Sequence, residues 1–157
     1  MKEIPLTQGR VAIVDDRDHE RLVAMGNWYA ATTRPGHFVA LTWLNRKNAR
    51  MHRIILNAPQ GLDVDHINHN TLDNQRHNLR LCTHRQNLQN QLKQKGRSSK
   101  HKGVYWHKNN KRWVAKIKIN GLIKSLGCFG NEDDAGNAYN EAAKEHFGEF
   151  AYLNDLG

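Results

Sequence analysis

The chain has 157 residues, with 24 Lys and Arg against 15 Asp and Glu and a formal net charge of +9. That length allows one ordinary domain or two small ones, each with a modest core, and the positive excess calls for a polyanionic partner. No apolar run reaches the roughly 18 residues of a membrane span, the opening MKEIPLTQGR lacks a signal-peptide pattern, and two cysteines, Cys82 and Cys128, build no disulfide framework. A cytoplasmic protein without a membrane partner is expected.

In the first third, the apolar run at residues 11–14 (VAIV) after Gly9 predicts a strand. Asp15 or Asp16 is placed to cap a helix over 18–25 that Gly26 stops. Trp28 and Tyr29, then residues 38–43, are aromatic and β-branched enough for two more strands, with Pro35-Gly36 as the turn between them. Residues 51–56 predict a short helix before Asn57-Ala58-Pro59. No catalytic constellation stands out here. The expected role is scaffold, with Arg46, Lys47, Arg50 and Arg53 as accessory DNA contacts and His52 either packed or near a phosphate.

The central stretch, VDHINHNTLDNQRHNLRLCTHRQN over residues 64–87, has different chemistry. Residues 62–65 read as a strand end. Residues 68–77 are Asn, His, Asp and Thr with almost no apolar side chain, which is turn chemistry. Leu79 and Leu81 alternate with Arg80 and Cys82, as in a half-buried strand. Thr83 followed by Gln86 matches a capping box, so a helix is expected from Thr83. Asn87 then falls in the first turns of that helix, able to lie beside Asp65 and His66. A phosphodiester-cleaving site needs a base for water and a way to offset charge on the phosphate and on the leaving oxygen. Asp65 and Asn87 offer oxygen ligands of the kind Mg²⁺ prefers, and His66 is a neutral imidazole near pH 7. Zinc is the competing reading for His66, His69, His77, Cys82 and His84, but no paired Cys-x2-Cys spacing exists.

These residues resemble the HNH class of ββα-metal nucleases, in particular the branch with phage and intron-associated homing endonucleases. The resemblance rests on Asp65-His66-Ile67, Leu72-Asp73-Asn74, Asn78-Leu79-Arg80 and Asn87. It implies that Asp65 and Asn87 hold a divalent metal ion (Mg²⁺, with Mn²⁺ as a substitute), that His66 activates water, and that Asn78 orients the site. The family uses either His or Asn at the last position, and His84 is the competitor for it. The resemblance also implies a phage-encoded enzyme acting in a bacterial cytoplasm.

Residues 74–131 contain no Asp or Glu at all, while Lys and Arg recur throughout. The linker part, residues 86–102, can continue the preceding helix until Gly96 and Ser98-Ser99 break it. Its second half reads as a flexible basic tether, with Lys93, Lys95 and Arg97 tracking phosphates without sequence preference.

From residue 102 a second module begins. Residues 112–119 (RWVAKIKI) alternate strictly, and Asn120-Gly121 is a hairpin turn signal. The returning strand, 122–129, pairs Leu122 with Ile119, Ile123 with Lys118 and Ser125 with Lys116. Trp113, Ala115, Ile117, Ile119, Leu122 and Leu126 are expected on the core side, where Lys124 also falls, tolerable only on an edge strand. Arg112, Val114, Lys116, Lys118, Ile123 and Ser125 form the open face. Residues 103–107 predict a first strand, with Tyr105 on that open face. Asn131 caps a helix whose first turn carries Glu132, Asp133 and Asp134 and whose alanines recur at helical spacing.

This module resembles the APETALA2-type (ethylene-response-factor) DNA-binding domain, through Lys102-Gly103-Val104, residues 113–117, Leu126-Gly127-Cys128-Phe129, Ala138-Tyr139, Glu141-Ala142-Ala143, Gly148 and Leu153-Asn154. The resemblance implies a sheet that reads duplex DNA, at positions held here by Lys102, Tyr105, Lys116, Lys118, Ile123 and Ser125. Several Arg and the Trp of that family are replaced, and Lys lacks the planar fork of Arg.

The sequence therefore predicts an α+β protein: a nuclease domain over 1–95, a basic linker over 96–101 and a small three-stranded antiparallel sheet packed on one helix over 102–157. The expected function is metal-dependent cleavage of double-stranded DNA by a monomer. A DNA-binding regulator with a silent nuclease fold is the alternative, and an RNA-directed nuclease a third reading.

Overall fold

A computed structural model describes residues 1–34, 36–93 and 96–156. Pro35 of the expected turn and Lys95 of the basic linker lie outside the described residues. The fold is mixed α+β, and the chain forms two compact units, Met1–Asn87 and Leu88–Gly157. The division falls inside a helix, earlier in the chain than residue 95.

In the first unit, β1 (Lys2–Pro5) and β2 (Val11–Val14) pair antiparallel, Ile4 opposite Ala12. β1 has no counterpart among the expected strands, because only Ile4 of KEIP faces inward and one buried residue makes no alternation. Helix α1 covers Asp16–Ala24, starting earlier than expected. Asp15 sits at its N-cap but makes no cap bond there. Its carboxylate instead accepts the backbone N–H of Arg76 at 2.8 Å. A three-stranded antiparallel sheet follows, β3 (Tyr29–Arg34), β4 (His37–Leu44) and β5 (Lys47–Arg50), in the order β3-β4-β5. The edge strand β5 escapes a sequence reading because KNAR is polar and short. Helix α2 (Met51–Ile55) packs Met51 and Ile55 into a core shared with Val14, Leu22, Trp28, Val64 and Leu79. Full burial of Leu22 or Met51 stabilises the unit by about 1.5–3 kcal/mol each.

Arg53 differs from its expected role at the DNA. Its guanidinium donates to the carbonyls of Leu62 (2.7 Å), Ala58 (3.2 Å) and Pro59 (2.8 Å). It braces the loop that leads into β6 (Asp63–His66). That strand pairs antiparallel with β7 (Leu79–Cys82), Asp63 opposite Cys82, Asp65 opposite Arg80 and His66 opposite Leu79. Leu79 and Cys82 are the buried members of β7, while Leu81 is exposed. Helix α3 (His84–Asn90) follows at once.

In the second unit, β8 (Val104–His107), β9 (Arg112–Ile119) and β10 (Leu122–Phe129) form an antiparallel sheet with β9 central. The hairpin register is as expected through Ser125↔Lys116, and an irregularity then brings Gly127 opposite Ala115. Lys124 lies opposite Ile117 on the edge strand β10, where its stem reaches water. Two expected placements are corrected. Leu122 is 77% exposed instead of in the core, because it sits at the hairpin tip. Val114 is buried, between its cross-strand partners Tyr105 and Cys128, instead of open.

Helix α4 (Glu132–Phe147) covers the sheet through Tyr139, Ala142 and Ala143 against Ile117 and through Ala135 against Val104 and Ala115. Asn131 caps it, its side chain accepting the Asp133 N–H at 2.7 Å. Gly103, at φ +79°, lets the chain pass under α4, because a Cβ there would run into the Tyr139 ring and come within 2.7 Å of the Lys116 carbonyl. The acids of the first turn also anchor the segment before β8. Glu132 accepts Ser99 Oγ (2.6 Å) and the Lys100 N–H (2.7 Å), and Asp133 faces His101 Nε2 (2.7 Å) and Lys100 Nζ (2.8 Å). Ser99 and His101 are buried. This part of the expected tether is therefore packed structure.

Candidate active site

The candidate site is built on β6, β7, the loop between them and α3. In a strand, residues two apart share a face, so Asp63 and Asp65 lie on one side of β6. Asp65 is buried and its Oδ2 accepts both Nε (2.9 Å) and Nη2 (2.8 Å) of Arg80, its cross-strand partner. A buried carboxylate needs such a countercharge. Burial chiefly, then the nearby Asp65 and Asp63 carboxylates, push the Cys82 thiol up to about 11.

The capping box forms as expected. The Thr83 N–H donates to Gln86 Oε1 (2.8 Å) and the Gln86 N–H to Thr83 Oγ1 (3.3 Å). It starts α3 in register for Asn87, whose Nδ2 donates to Asp63 Oδ2 at 3.1 Å. His84 Nδ1 meets the same oxygen at 3.0 Å. Both candidates for the last position of the motif thus converge on Asp63, which the sequence pattern does not single out. These bonds, Asn87 before His84, hold the Asp63 carboxyl below its usual range. Only the period-two rule, counting back from Asp65, could have pointed to it.

His66 ends β6 and is 5% exposed. Its Nε2 lies 3.3 Å from Asn74 Oδ1, and its ring meets that of His52 edge-on, with centroids 5.1 Å apart. Burial holds His66 below the usual histidine range, against opposing contributions from Asn74, Asp65 and Asp73. His52 is pushed down to about 3, first by burial and then by His66. The packing role is the one His52 has, and both rings are neutral at pH 7.

Asn78 does not touch His66 through any of its side-chain bonds. Its Oδ1 accepts the Asn68 N–H (2.9 Å) and its Nδ2 donates to the Asp73 carbonyl (2.8 Å). Asn68 Nδ2 in turn donates to Asp73 Oδ2 (2.7 Å), and the Ile67 N–H donates to the Asn78 carbonyl (2.9 Å). Asn78 is the staple of the 67–78 loop. The His and Cys weighed for zinc do not assemble: among the described residues no group of three or more His, Cys, Asp or Glu is placed to share an ion.

Residues 57–89 match the HNH endonuclease family model. The HNH segment thus covers α3 up to Gln89 and the whole β6–β7 hairpin. Over 113 residues, 68% of this chain, the protein is 37% identical to an uncharacterized HNH endonuclease of Acanthamoeba polyphaga mimivirus. The chain spans 58% of that relative's length. No solved structure matches the chain. No helix among the described residues is long and apolar enough to cross a membrane.

The residues expected to grip DNA gather on the second unit. Lys93, Arg97, Lys102, Tyr105, Lys116 and Lys118 line one cavity of about 490 Å³, with Leu92 and Ile123 among its apolar walls. Lys116 Nζ lies 5.1 Å from the centre of the Tyr105 ring. Ser125 pairs with Lys116 across the sheet, and Arg112 is exposed at the start of β9. Lys102 differs from the others: its Nζ donates to the carbonyls of Gln89 and Gln91, each at 2.7 Å. Burial pulls its ammonium down to about 8, while those two bonds favour the charged form. Lys102 is an internal brace more than an open phosphate contact.

Proposed function

We propose that the protein is a divalent-metal-dependent DNA endonuclease, with its hydrolytic site on the HNH segment and a DNA-holding surface on the second unit. The observation that carries this reading is a buried, neutral imidazole, His66, directly following a carboxylate, Asp65, on a strand whose other carboxylate, Asp63, is bonded to Asn87. The family match over the same residues supports it.

The donor set suits a hard cation. Asp63 and Asp65 offer carboxylate oxygens, and Asn87, whose Nδ2 is turned to Asp63, offers its amide oxygen. Asp65 and Asn87 would hold the ion, with Asp63 beside them. When bound, a Mg²⁺ or Mn²⁺ ion offsets charge on the scissile phosphate and on the departing oxygen. His66 takes the proton from the attacking water, which a neutral imidazole does well near pH 7. Asn78 keeps the 67–78 loop closed around it. Arg80 balances the Asp65 carboxylate.

On the second unit, Tyr105, Arg112, Lys116, Lys118 and Ser125, with Lys93, Lys95 and Arg97, would bind double-stranded DNA in the manner of an APETALA2-like sheet. The Lys-rich face supplies phosphate affinity.

Cleavage of supercoiled plasmid as a function of Mg²⁺ concentration tests the proposal. The wild type is expected to convert supercoiled to open or linear DNA with Mg²⁺ and to stop when EDTA is added. Asp65→Ala and Asn87→Ala should each abolish cleavage or require far more metal. Binding of plasmid without cleavage under every divalent ion would overturn the enzyme reading in favour of a DNA-binding regulator. Preferential cutting of duplex RNA would make RNA the substrate.

A further inference from the structure

The nuclease reading gives His66 a task that only one of its two neutral tautomers suits, because the ring nitrogen turned to the attacking water must be the one that carries the lone pair. An amide oxygen and an imidazole nitrogen both bear lone pairs. They approach to hydrogen-bond distance only if the nitrogen carries hydrogen. Asn74 Oδ1 stands 3.3 Å from His66 Nε2.

Asn74 is fixed in that position. It is 1% exposed and among the largest fully buried side chains of the chain. Its backbone N–H donates to the Ile13 carbonyl at 2.7 Å, and the Ile13 N–H donates to the Leu72 carbonyl at 2.8 Å. Asp73, between them, forms a parallel bridge with Ile13. Strand β2 of the N-terminal scaffold therefore clamps residues 72–74 against the loop.

The other end of the same side chain is unusual. Nδ2 of Asn74 is buried with no hydrogen-bond partner. An orphaned buried donor destabilises a fold by about 1–3 kcal/mol, and a Leu of similar volume would carry no such penalty. A buried amide retained with one end unpaired is consistent with a task for its other end. That other end is the oxygen facing His66.

We infer that Asn74 is a positioning residue for the proposed nuclease site: its Oδ1 accepts the Nε2–H of His66, fixing that tautomer and leaving Nδ1 as the nitrogen that receives the proton. Ile13 belongs to the same device, holding Asn74 in place. The inference rests on the nuclease reading for its purpose, but the tautomer itself is a property of the resting, metal-free protein.

The test is ¹⁵N NMR of the full chain with labelled histidine, without metal or DNA, at a pH where His66 is neutral. The His66 signals are assigned by their disappearance in His66→Gln. Wild type should show Nε2 protonated and Nδ1 bearing the lone pair, each as a distinct shift. Asn74→Leu should abolish this fixed pattern and, in the plasmid assay, slow cleavage by about 10- to 100-fold at an unchanged Mg²⁺ requirement. A wild-type spectrum with Nδ1 protonated, or with averaged tautomers, overturns the inference, whether or not the Leu variant folds. Because the spectrum requires no cleavage, a protein that fails to cut DNA but shows the Nε2–H form refutes only the nuclease reading.

Discussion

Asp63 receives two side chains on one oxygen, from Asn87 at 3.1 Å and from His84 at 3.0 Å. It therefore sets where the amide of Asn87 sits. Partners of this kind change metal affinity by about 10- to 100-fold when removed. Asp63→Ala is expected to raise the Mg²⁺ concentration for half-maximal cleavage by about that range, with little effect on thermal stability, since Asp63 is only half-buried. An unchanged metal requirement would remove Asp63 from the site. At this scale the sequence is informative about residue types and less so about pairings. Asp65 and His66 stand out by their adjacency and chemistry and Asn78 by the resemblance to HNH nucleases, whereas the bonds of Asn78 to Asn68 and Asp73 appear only in the fold. Asp63 looks like one more residue entering a strand, and the partner of Asn74 is Ile13, a pairing that no local pattern announces. The brace formed by Lys102 is hidden in the same way, because a lysine in a basic run reads as a phosphate contact until its carbonyl partners are seen.

Elements explain why the hairpin and helix are legible. Turn chemistry over 68–77 and the capping box at Thr83 and Gln86 are local devices, and local devices show in sequence. Thr83→Ala should destabilise the start of α3 by about 1 kcal/mol and reduce cleavage through the looser placement of Asn87, measured by urea unfolding beside the plasmid assay. The ties between elements are not local. Asp18 on α1 accepts Nε (2.7 Å) and Nη2 (2.9 Å) of Arg76 and Nη2 of Arg21 (2.9 Å). Arg76 chiefly, then Arg21, holds the Asp18 carboxyl below the usual range against its burial. A depressed folded value means that the unfolded chain binds the proton more readily. The stabilisation is thus complete above about pH 4 and fades as acid protonates the folded carboxylate. Asp18→Asn should lower stability at neutral pH by about 2 kcal/mol and flatten the acid limb of a stability–pH curve. A limb as steep as the wild type's would contradict the pairing. β1 and β5 escape notice for a simpler reason: four-residue edge strands with one inward side chain carry no period to read.

For the whole molecule, charge is the most direct link to function. The net charge is +9, and residues 74–131 hold no acid. Glu132 and Asp133 of α4 are engaged with Ser99, Lys100 and His101 within the second unit, and Lys116 and Lys118 lie exposed on the sheet. Replacing both with Ala should weaken binding to duplex DNA and reduce the slope of log affinity against log salt by about one unit for each phosphate that a lysine had neutralised. The proposed function stands or falls on hydrolysis at His66. Supercoiled plasmid with Mg²⁺, incubated with wild type and with His66→Ala and read as open-circular or linear product, tests it most directly. The wild type should cut, and His66→Ala should bind the plasmid equally well and leave it supercoiled. Cleavage by His66→Ala at the wild-type rate would contradict the account.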